Sequence, residues 1–154
     1  MNLNEVKNYI TLFKKETNLN IEESLLEKDY ILSLFLSAWA KEETPNLDKL
    51  IFKGGTLLTK NYLKYHRISE DLDFIHEDSN YLRTIKTNGK KEKEIKNRII
   101  PILDEIKKIT DKCNLEFEID RTNTNYIIQR NSRSLYIFNF YYISQVTKKK
   151  DKIK

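Results

Sequence analysis

The chain has 154 residues, 39% of them hydrophobic and 33% charged, and it carries a formal net charge of +5. This size suits one hydrophobic core, so we expect a single domain over residues 1–154. The sequence shows neither a signal-peptide pattern nor an apolar run long enough to cross a bilayer, which argues against membrane proteins and predicts a cytoplasmic one. The positive charge favours a polyanionic partner, but many lysine-rich chains bind nothing acidic.

Two helices are predicted in the N-terminal part, residues 1–41. Apolar residues from Val6 to Phe13 recur at helical spacing and predict a first helix that ends near the sequence ETN. A second helix is expected over 21–41, with Asn20 as its N-cap and Glu23 reaching back to the cap amide. Its second half is apolar nearly all round, which is typical of a buried central helix.

The core region, residues 47–147, begins with a strand at KLIFK. The next stretch, GGTLLTKNYLKY, has helical periodicity, and DLDFI predicts a second strand. The two adjacent glycines therefore lie at a strand-to-helix junction. The stretch TNGKKEKEIKNRIIPILDEIKKIT, residues 87–110, predicts a loop followed by a helix with isoleucines on one face and lysines opposite, and Pro101 is expected to bend the helix or to mark a new start.

The C-terminal part changes to a period of two. Alternation from Leu115 to Asp120 predicts a half-buried strand, and NYIIQR and SLYIFNFYYI predict two more. In the basic tail, residues 148–154, Lys-Ile-Lys indicates the start of a further strand. Lysines 148–150 are expected to be frayed and solvated, with RNA binding as the alternative. This order of helices and strands predicts an α+β domain.

Gly54 and Gly55 could hold an anion at the strand-to-helix junction. Glycine lets the backbone turn sharply and lets a ligand approach closely, and the N–H groups at the start of a helix favour negative charge. Thr56 adds a hydroxyl group, and Lys53 and Lys60 add positive charge nearby. An isolated Gly-Gly pair is explained more simply as a turn, so the glycines alone do not identify a site.

Asp71 and Asp73 are two residues apart on a predicted strand. Their side chains would point to the same face, with Cα atoms about 6.5 Å apart, so both could bind one divalent cation. Two aspartates that simply face solvent on an edge strand are the alternative. The apolar Leu72 and Phe74 on the opposite face and the preceding anion-binding turn favour a site where a metal ion and phosphates meet.

The stretch FKGGTLLTKNYLKYHRISEDLDF, residues 52–74, closely resembles the signature of the AbiEii/AbiGii-type nucleotidyltransferase toxins, a branch of the DNA polymerase β-like nucleotidyltransferase superfamily. EKDYILSLFL, residues 27–36, is similar to a second segment of that family. The resemblance implies an α+β, nucleotidyltransferase-like fold with a mixed β-sheet flanked by helices, here lacking the family's C-terminal helical part. In the second segment, Lys28 and Asp29 fit a direct role and a buried or paired helix contact equally well.

The resemblance also implies which residues form the site. Asp71 and Asp73 would be the catalytic pair that binds Mg²⁺. Ser69 and Arg67 occupy recurring motif positions, where Ser69 would orient an aspartate, contact phosphate or pack. The implied nucleotide-binding residues are Gly54, Gly55, Thr56, Lys60 and Ser69.

The implied function is that of a nucleotidyltransferase in a bacterial abortive-infection or toxin–antitoxin system that acts in phage defence. Such an enzyme would move a nucleotidyl group from a Mg²⁺-bound nucleoside triphosphate (NTP) to an RNA acceptor, with tRNA expected, and a cognate antitoxin is a further partner. Superfamily sites use a third carboxylate, for which Glu116, Glu118 and Asp120 are available. Their regular alternation with apolar residues is more typical of the solvated face of a strand. The alternative is a truncated, inactive domain that acts as a nucleotide-binding or protein or RNA interaction module.

Overall fold

The computed structural model describes residues 3–17, 19–55, 57, 70–130 and 135–154. The predicted α+β class is confirmed, and among these residues no helix is both long and apolar enough to cross a membrane. The elements, in chain order, are α1 (Leu3–Thr17), α2 (Glu23–Trp39), a 3-10 turn (Leu47–Lys49), β1 (Leu50–Lys53), β2 (Asp73–His76), α3 (Ser79–Thr84), α4 (Asn88–Lys112), β3 (Ile127–Arg130), β4 (Leu135–Phe138), β5 (Phe140–Ile143) and β6 (Lys150–Ile153).

Helices α2 and α4 supply much of the main hydrophobic core. In the apolar half of α2, Ile31, Leu32 and Phe35 are buried and the other apolar side chains are half-buried, so the helix is less completely buried than its composition predicts. Helix α4 buries its isoleucine stripe and continues through Pro101, so Pro101 marks no new start, and the alternative of a bend there stays a prediction. Burial of isoleucines on both sides of Pro101 offsets the backbone hydrogen bond that proline cannot make. The buried stripe consists of Ile95, Ile99, Ile102, Ile106 and Ile109.

Helix α1 packs on the first half of α2 through a smaller cluster around Val6 and Leu26. The prediction that Asn20 caps α2 is wrong. The helix begins at Glu23, and the N-cap residue is Glu22, which makes no capping bond with its side chain. Because the helix starts later than expected, Asn20 is too distant in sequence from the N–H groups of its first turn. The carbonyl of Glu22 accepts hydrogen bonds from the N–H groups of Leu25 and Leu26 at 3.1 and 3.2 Å.

The described strands form three two-stranded antiparallel sheets, β1–β2, β3–β4 and β5–β6. Two backbone contacts extend this pairing. The N–H of Leu72 donates to the carbonyl of Lys154 at 2.9 Å, which joins the segment before β2 to the end of β6. Glu116 and Tyr141 exchange hydrogen bonds of 2.8 and 3.0 Å, which joins the segment after α4 to β5. These contacts place the β5–β6 sheet between the aspartate segment and the segment that follows α4.

Three C-terminal expectations are corrected. Residues 115–119 form an isolated bridge at Glu116 and no regular strand, and Ile119 is 44% exposed. The predicted single strand in SLYIFNFYYI is divided into β4 and β5 by Asn139, which is buried and whose N–H donates to the carbonyl of Tyr126. Lysines 148–150 are not frayed, since they complete the turn into β6. The strand expected from Lys-Ile-Lys is confirmed, and it pairs with β5.

Candidate active site

The glycine junction lies against one of the two aspartates. Strand β1 ends at Lys53 and the backbone becomes helical at Gly54 and Gly55. Gly54 has φ of 82°, a conformation that residues with a Cβ rarely adopt. A Cβ atom at Gly54 would lie 2.2 Å from Oδ2 of Asp73 and 2.9 Å from its Cβ. The missing side chain therefore makes the space that the Asp73 carboxylate occupies.

The register of the β1–β2 hairpin explains this contact. Lys53 is paired with Asp73, so the residue after Lys53 lies beside the start of β2. Strand β2 begins at Asp73, which leaves Asp71 just before the strand. Both aspartates are exposed, whereas Leu72 between them packs against the main core. The alternation expected from the sequence therefore holds, and both carboxylates lie on the outer side of this segment.

Aromatic side chains anchor the hairpin on its core side. The rings of Phe52 and Phe74, which are paired across β1 and β2, stack with centroids 5.0 Å apart. The ring of Trp39, at the end of α2, lies 5.0 Å from that of Phe74. Ring pairs of this kind add stabilisation beyond the area they bury. The backbone that carries Gly54 and Asp73 is thus held against α2.

Carboxylate oxygens are the hard ligands that Mg²⁺ prefers, and both aspartates are exposed to solvent, with the Asp73 carboxylate in the space beside Gly54. These residues fit the ion, and the assignment of Asp71 and Asp73 as a metal-binding pair stays a prediction. Gly54 and Asp73 are brought together. The remaining predicted nucleotide-binding residues Thr56, Lys60 and Ser69, together with Arg67, lie outside the described residues.

Lys28 ties the aspartate segment to β6. Its ammonium group lies 3.0 Å from Oε2 of Glu70, the residue before Asp71, and 3.6 Å from Oδ1 of Asp151. Partial burial lowers the pKa of Lys28, but the hydrogen bond and charge of Glu70 and the charge of Asp151 outweigh it, so the pKa is raised above its usual value. Lys28 therefore stays protonated and holds two carboxylates from separate segments.

The neighbouring acidic residues of α2 are buried and have structural contacts. Glu27 is completely buried and accepts hydrogen bonds from the Ser144 hydroxyl at 2.5 Å and the N–H of Gln145 at 2.6 Å, which anchors the turn between β5 and β6. Asp29, 2% exposed, accepts a hydrogen bond from the hydroxyl of Tyr9 on α1. Glu27 carries no local signal of this role in the sequence, because its partners Ser144 and Gln145 lie far along the chain.

The available candidates for a third carboxylate have local partners. Glu116 binds the Tyr126 hydroxyl and the Lys150 ammonium, and the hydrogen bond from Lys150 holds the pKa of Glu116 below its usual value. Glu118 accepts from the side chain of Asn123, and Asp120 accepts from the N–H and hydroxyl of Thr122. Across the described part of the chain, no three Asp, Glu, His or Cys side chains group as ligands for a metal ion.

A family model agrees with the sequence resemblance. The model of the family described as nucleotidyl transferase AbiEii toxin, type IV TA system, matches residues 36–153, more than half of the chain. The matched span includes the glycine junction, both aspartates and β6. No curated protein and no solved structure matches the chain.

Proposed function

The chain belongs to the family of AbiEii nucleotidyl transferase toxins of type IV toxin–antitoxin systems, and on that premise we propose that it transfers a nucleotidyl group from a Mg²⁺-bound NTP to an RNA acceptor of the tRNA class. The family implies an antitoxin as a partner. The observation that supports the proposal is the contact between Gly54 and the Asp73 carboxylate, because it brings a helix start that suits phosphate next to carboxylates that suit a metal ion.

Different residues of the chain would bind the phosphates and the metal ion. The backbone N–H groups of Gly54 and Gly55, where the backbone becomes helical, would donate to phosphate oxygens. Lys53, exposed and paired with Asp73, adds a positive charge close by. Asp71 and Asp73 would hold Mg²⁺ in this site. When bound, the ion neutralises charge on the phosphates and aligns them.

The metal assignment predicts that NTP binding depends on Mg²⁺. Titration calorimetry should detect binding of an NTP with Mg²⁺ and much weaker binding without it. Asp71→Asn and Asp73→Asn should each weaken the complex by about tenfold or more, since changing even an outer-shell partner of a metal ligand costs about 10- to 100-fold. Glu77→Gln, just beyond the far end of β2, removes the same charge and should leave affinity unchanged. Equal affinity with and without Mg²⁺ would contradict the assignment.

A second candidate function is a nucleotide-binding or protein or RNA interaction module without catalysis. The absence of a third grouped carboxylate among the described residues favours it. An acceptor hydroxyl without a positioned base loses a contribution of about 10²- to 10⁴-fold, so we expect this chain to be a slow transferase by itself.

Label transfer distinguishes the two functions. The chain is incubated with Mg²⁺, each labelled NTP in turn and total bacterial tRNA, with Asp71→Ala as the control. Transfer above that of the control, even at a low rate, would support the transferase. Nucleotide binding with no transfer above the control would support the interaction module. Transfer at an ordinary enzymatic rate would show that the site is complete and that the expectation of slow chemistry is wrong.

A further inference from the structure

Strand β6 presents a row of lysines on its outer side. Lys150 and Lys152 are exposed, whereas Asp151 between them is half-buried and Ile153 is buried. Side chains of a strand alternate between its two faces. Lys150, Lys152 and the exposed Lys154 therefore follow one face of β6, opposite the face that packs on the core.

An aromatic ring accompanies these lysines. Tyr141 of β5 is paired with Lys152 across the hairpin. The ammonium groups of Lys150 and Lys152 lie 4.8 and 5.9 Å from the centroid of the Tyr141 ring, within the range of a cation–π contact. The Tyr141 hydroxyl donates to the carbonyl of Asn125 at 3.2 Å, and the ring meets that of Tyr126 edge-on at 5.5 Å. The ring is therefore held in place at the surface.

This basic and aromatic surface adjoins the aspartate pair. The hydrogen bond from Leu72 to Lys154 sets the aspartate segment beside the end of β6. Leu72 and Ile153 both pack on the core, so the residues that flank them in sequence face the outer side. The two aspartates and the lysines of β6 thus share the outer side of neighbouring segments.

We propose that Tyr141, Lys150 and Lys152 form a surface that binds single-stranded RNA, with one base stacked on the tyrosine ring and phosphates at the two ammonium groups. This rests on the proposed function, because the strand so bound would present the acceptor to the aspartate site. An aromatic face with nearby cations binds unpaired bases without needing a particular sequence, whereas paired bases cannot stack on it.

The local contacts of the lysines do not compete strongly with such a ligand. Lys150 forms an ion pair with Glu116 at 2.8 Å, but the two side chains are 50% and 52% exposed. Ion pairs with this exposure are weak and are screened by salt. A phosphate can therefore replace Glu116 as the partner of Lys150, and the long lysine side chains can leave the Tyr141 ring free for a base.

Fluorescence anisotropy with a labelled 12-nucleotide single-stranded RNA and with the matching duplex tests the surface. Tyr141→Leu should weaken single-strand binding by about 5- to 150-fold, the loss of one stacked base, while Tyr141→Phe should retain it. Lys150→Gln and Lys152→Gln should each reduce the slope of log affinity against log salt by about 0.7. Lys93→Gln, on the exposed part of α4, removes the same charge outside the strands and should have no effect.

Unchanged binding in Tyr141→Leu, or equal affinity for the duplex, would overturn the proposal. If circular dichroism finds Tyr141→Leu unfolded, the lysine variants and Tyr141→Phe still test the surface. Lysine variants with an unchanged salt slope also overturn the proposal. Calorimetry with Mg²⁺ and NTP on the same proteins distinguishes the two ideas. If NTP binds and the RNA results fail, only this surface is rejected. If NTP does not bind but RNA binding needs Tyr141, the proposed function fails and the surface stands.

Discussion

Replacing Gly54 by alanine tests how the site is built. At φ of 82°, a residue with a Cβ costs about 1–2 kcal/mol relative to glycine. The new Cβ would also lie 2.2 Å from Oδ2 and 2.9 Å from the Cβ of Asp73. The carboxylate can rotate away, but the Asp73 Cβ is fixed to its strand, so the backbone has to move. Overpacking of this kind costs about 1–3 kcal/mol.

The expected destabilisation of Gly54→Ala is therefore about 2–5 kcal/mol, a large part of the roughly 5–15 kcal/mol that holds a domain folded. Urea unfolding followed by Trp39 fluorescence measures this destabilisation. Trp39 is the single tryptophan of the sequence, and its ring packs against Phe74 of the hairpin. Gly89→Ala is the matched control. No atom lies within 4 Å of its added Cβ and Gly89 lies in the first turn of α4, so this variant should be about as stable as the unmodified chain.

A double-mutant cycle separates the two causes. In Asp73→Gly both the carboxyl group and the Cβ are gone, so Gly54→Ala should cost less in that background, with an interaction energy of about 0.5–3 kcal/mol. Gly54→Ala by itself should also bind Mg²⁺ and NTP weakly under conditions where it is folded, because its new Cβ displaces the Asp73 carboxylate. An interaction energy near zero, or a Gly54→Ala protein as stable as the unmodified chain, would refute the steric argument.

Two further predictions concern stability. Glu27→Gln should lower the free energy of unfolding by about 1–3 kcal/mol, because the Ser144 hydroxyl or the Gln145 N–H would then face an amide NH₂ group. Urea titration measures the change, with the exposed Glu16→Gln as the control. Equal midpoints for the two variants would contradict the prediction. Hydrogen bonds from Arg98 lower the pKa of Asp78, so this pair stabilises the fold above the ordinary carboxyl pKa of 3.8 and its contribution is lost as pH falls through the lower folded value. Thermal melts should therefore show that Asp78→Asn loses less stability between pH 5 and 3 than the unmodified chain does.

Local patterns in the sequence predicted most of the helices and the junction, because they depend on spacing along the chain. The isoleucine stripe of α4 and the strand-to-helix change after Lys53 are of this kind. The contact of Gly54 with Asp73 is different. It depends on the register between β1 and β2, which is set by pairing between residues far apart in the sequence and has no local signal.

The misplaced C-terminal elements have tertiary causes. SLYIFNFYYI has the composition of one continuous strand, yet Asn139 breaks it because its N–H and side chain bind the carbonyls of Tyr126 and Asn125. Strand β6 is rich in lysine, a residue depleted in strands. It extends back to Lys150 because β5 supplies backbone partners and because Ile153 is buried.

The hydrogen bond from Leu72 to Lys154 has a consequence for synthesis on the ribosome. The aspartate segment is made early, and its partner strand is made much later. At about 5 to 20 residues per second, several seconds pass between the two. During that time the nascent chain carries both aspartates without β6 beside them or the Lys28 link to Asp151. The aspartate segment therefore has no β6 beside it until residue 154 has been made and has left the ribosome.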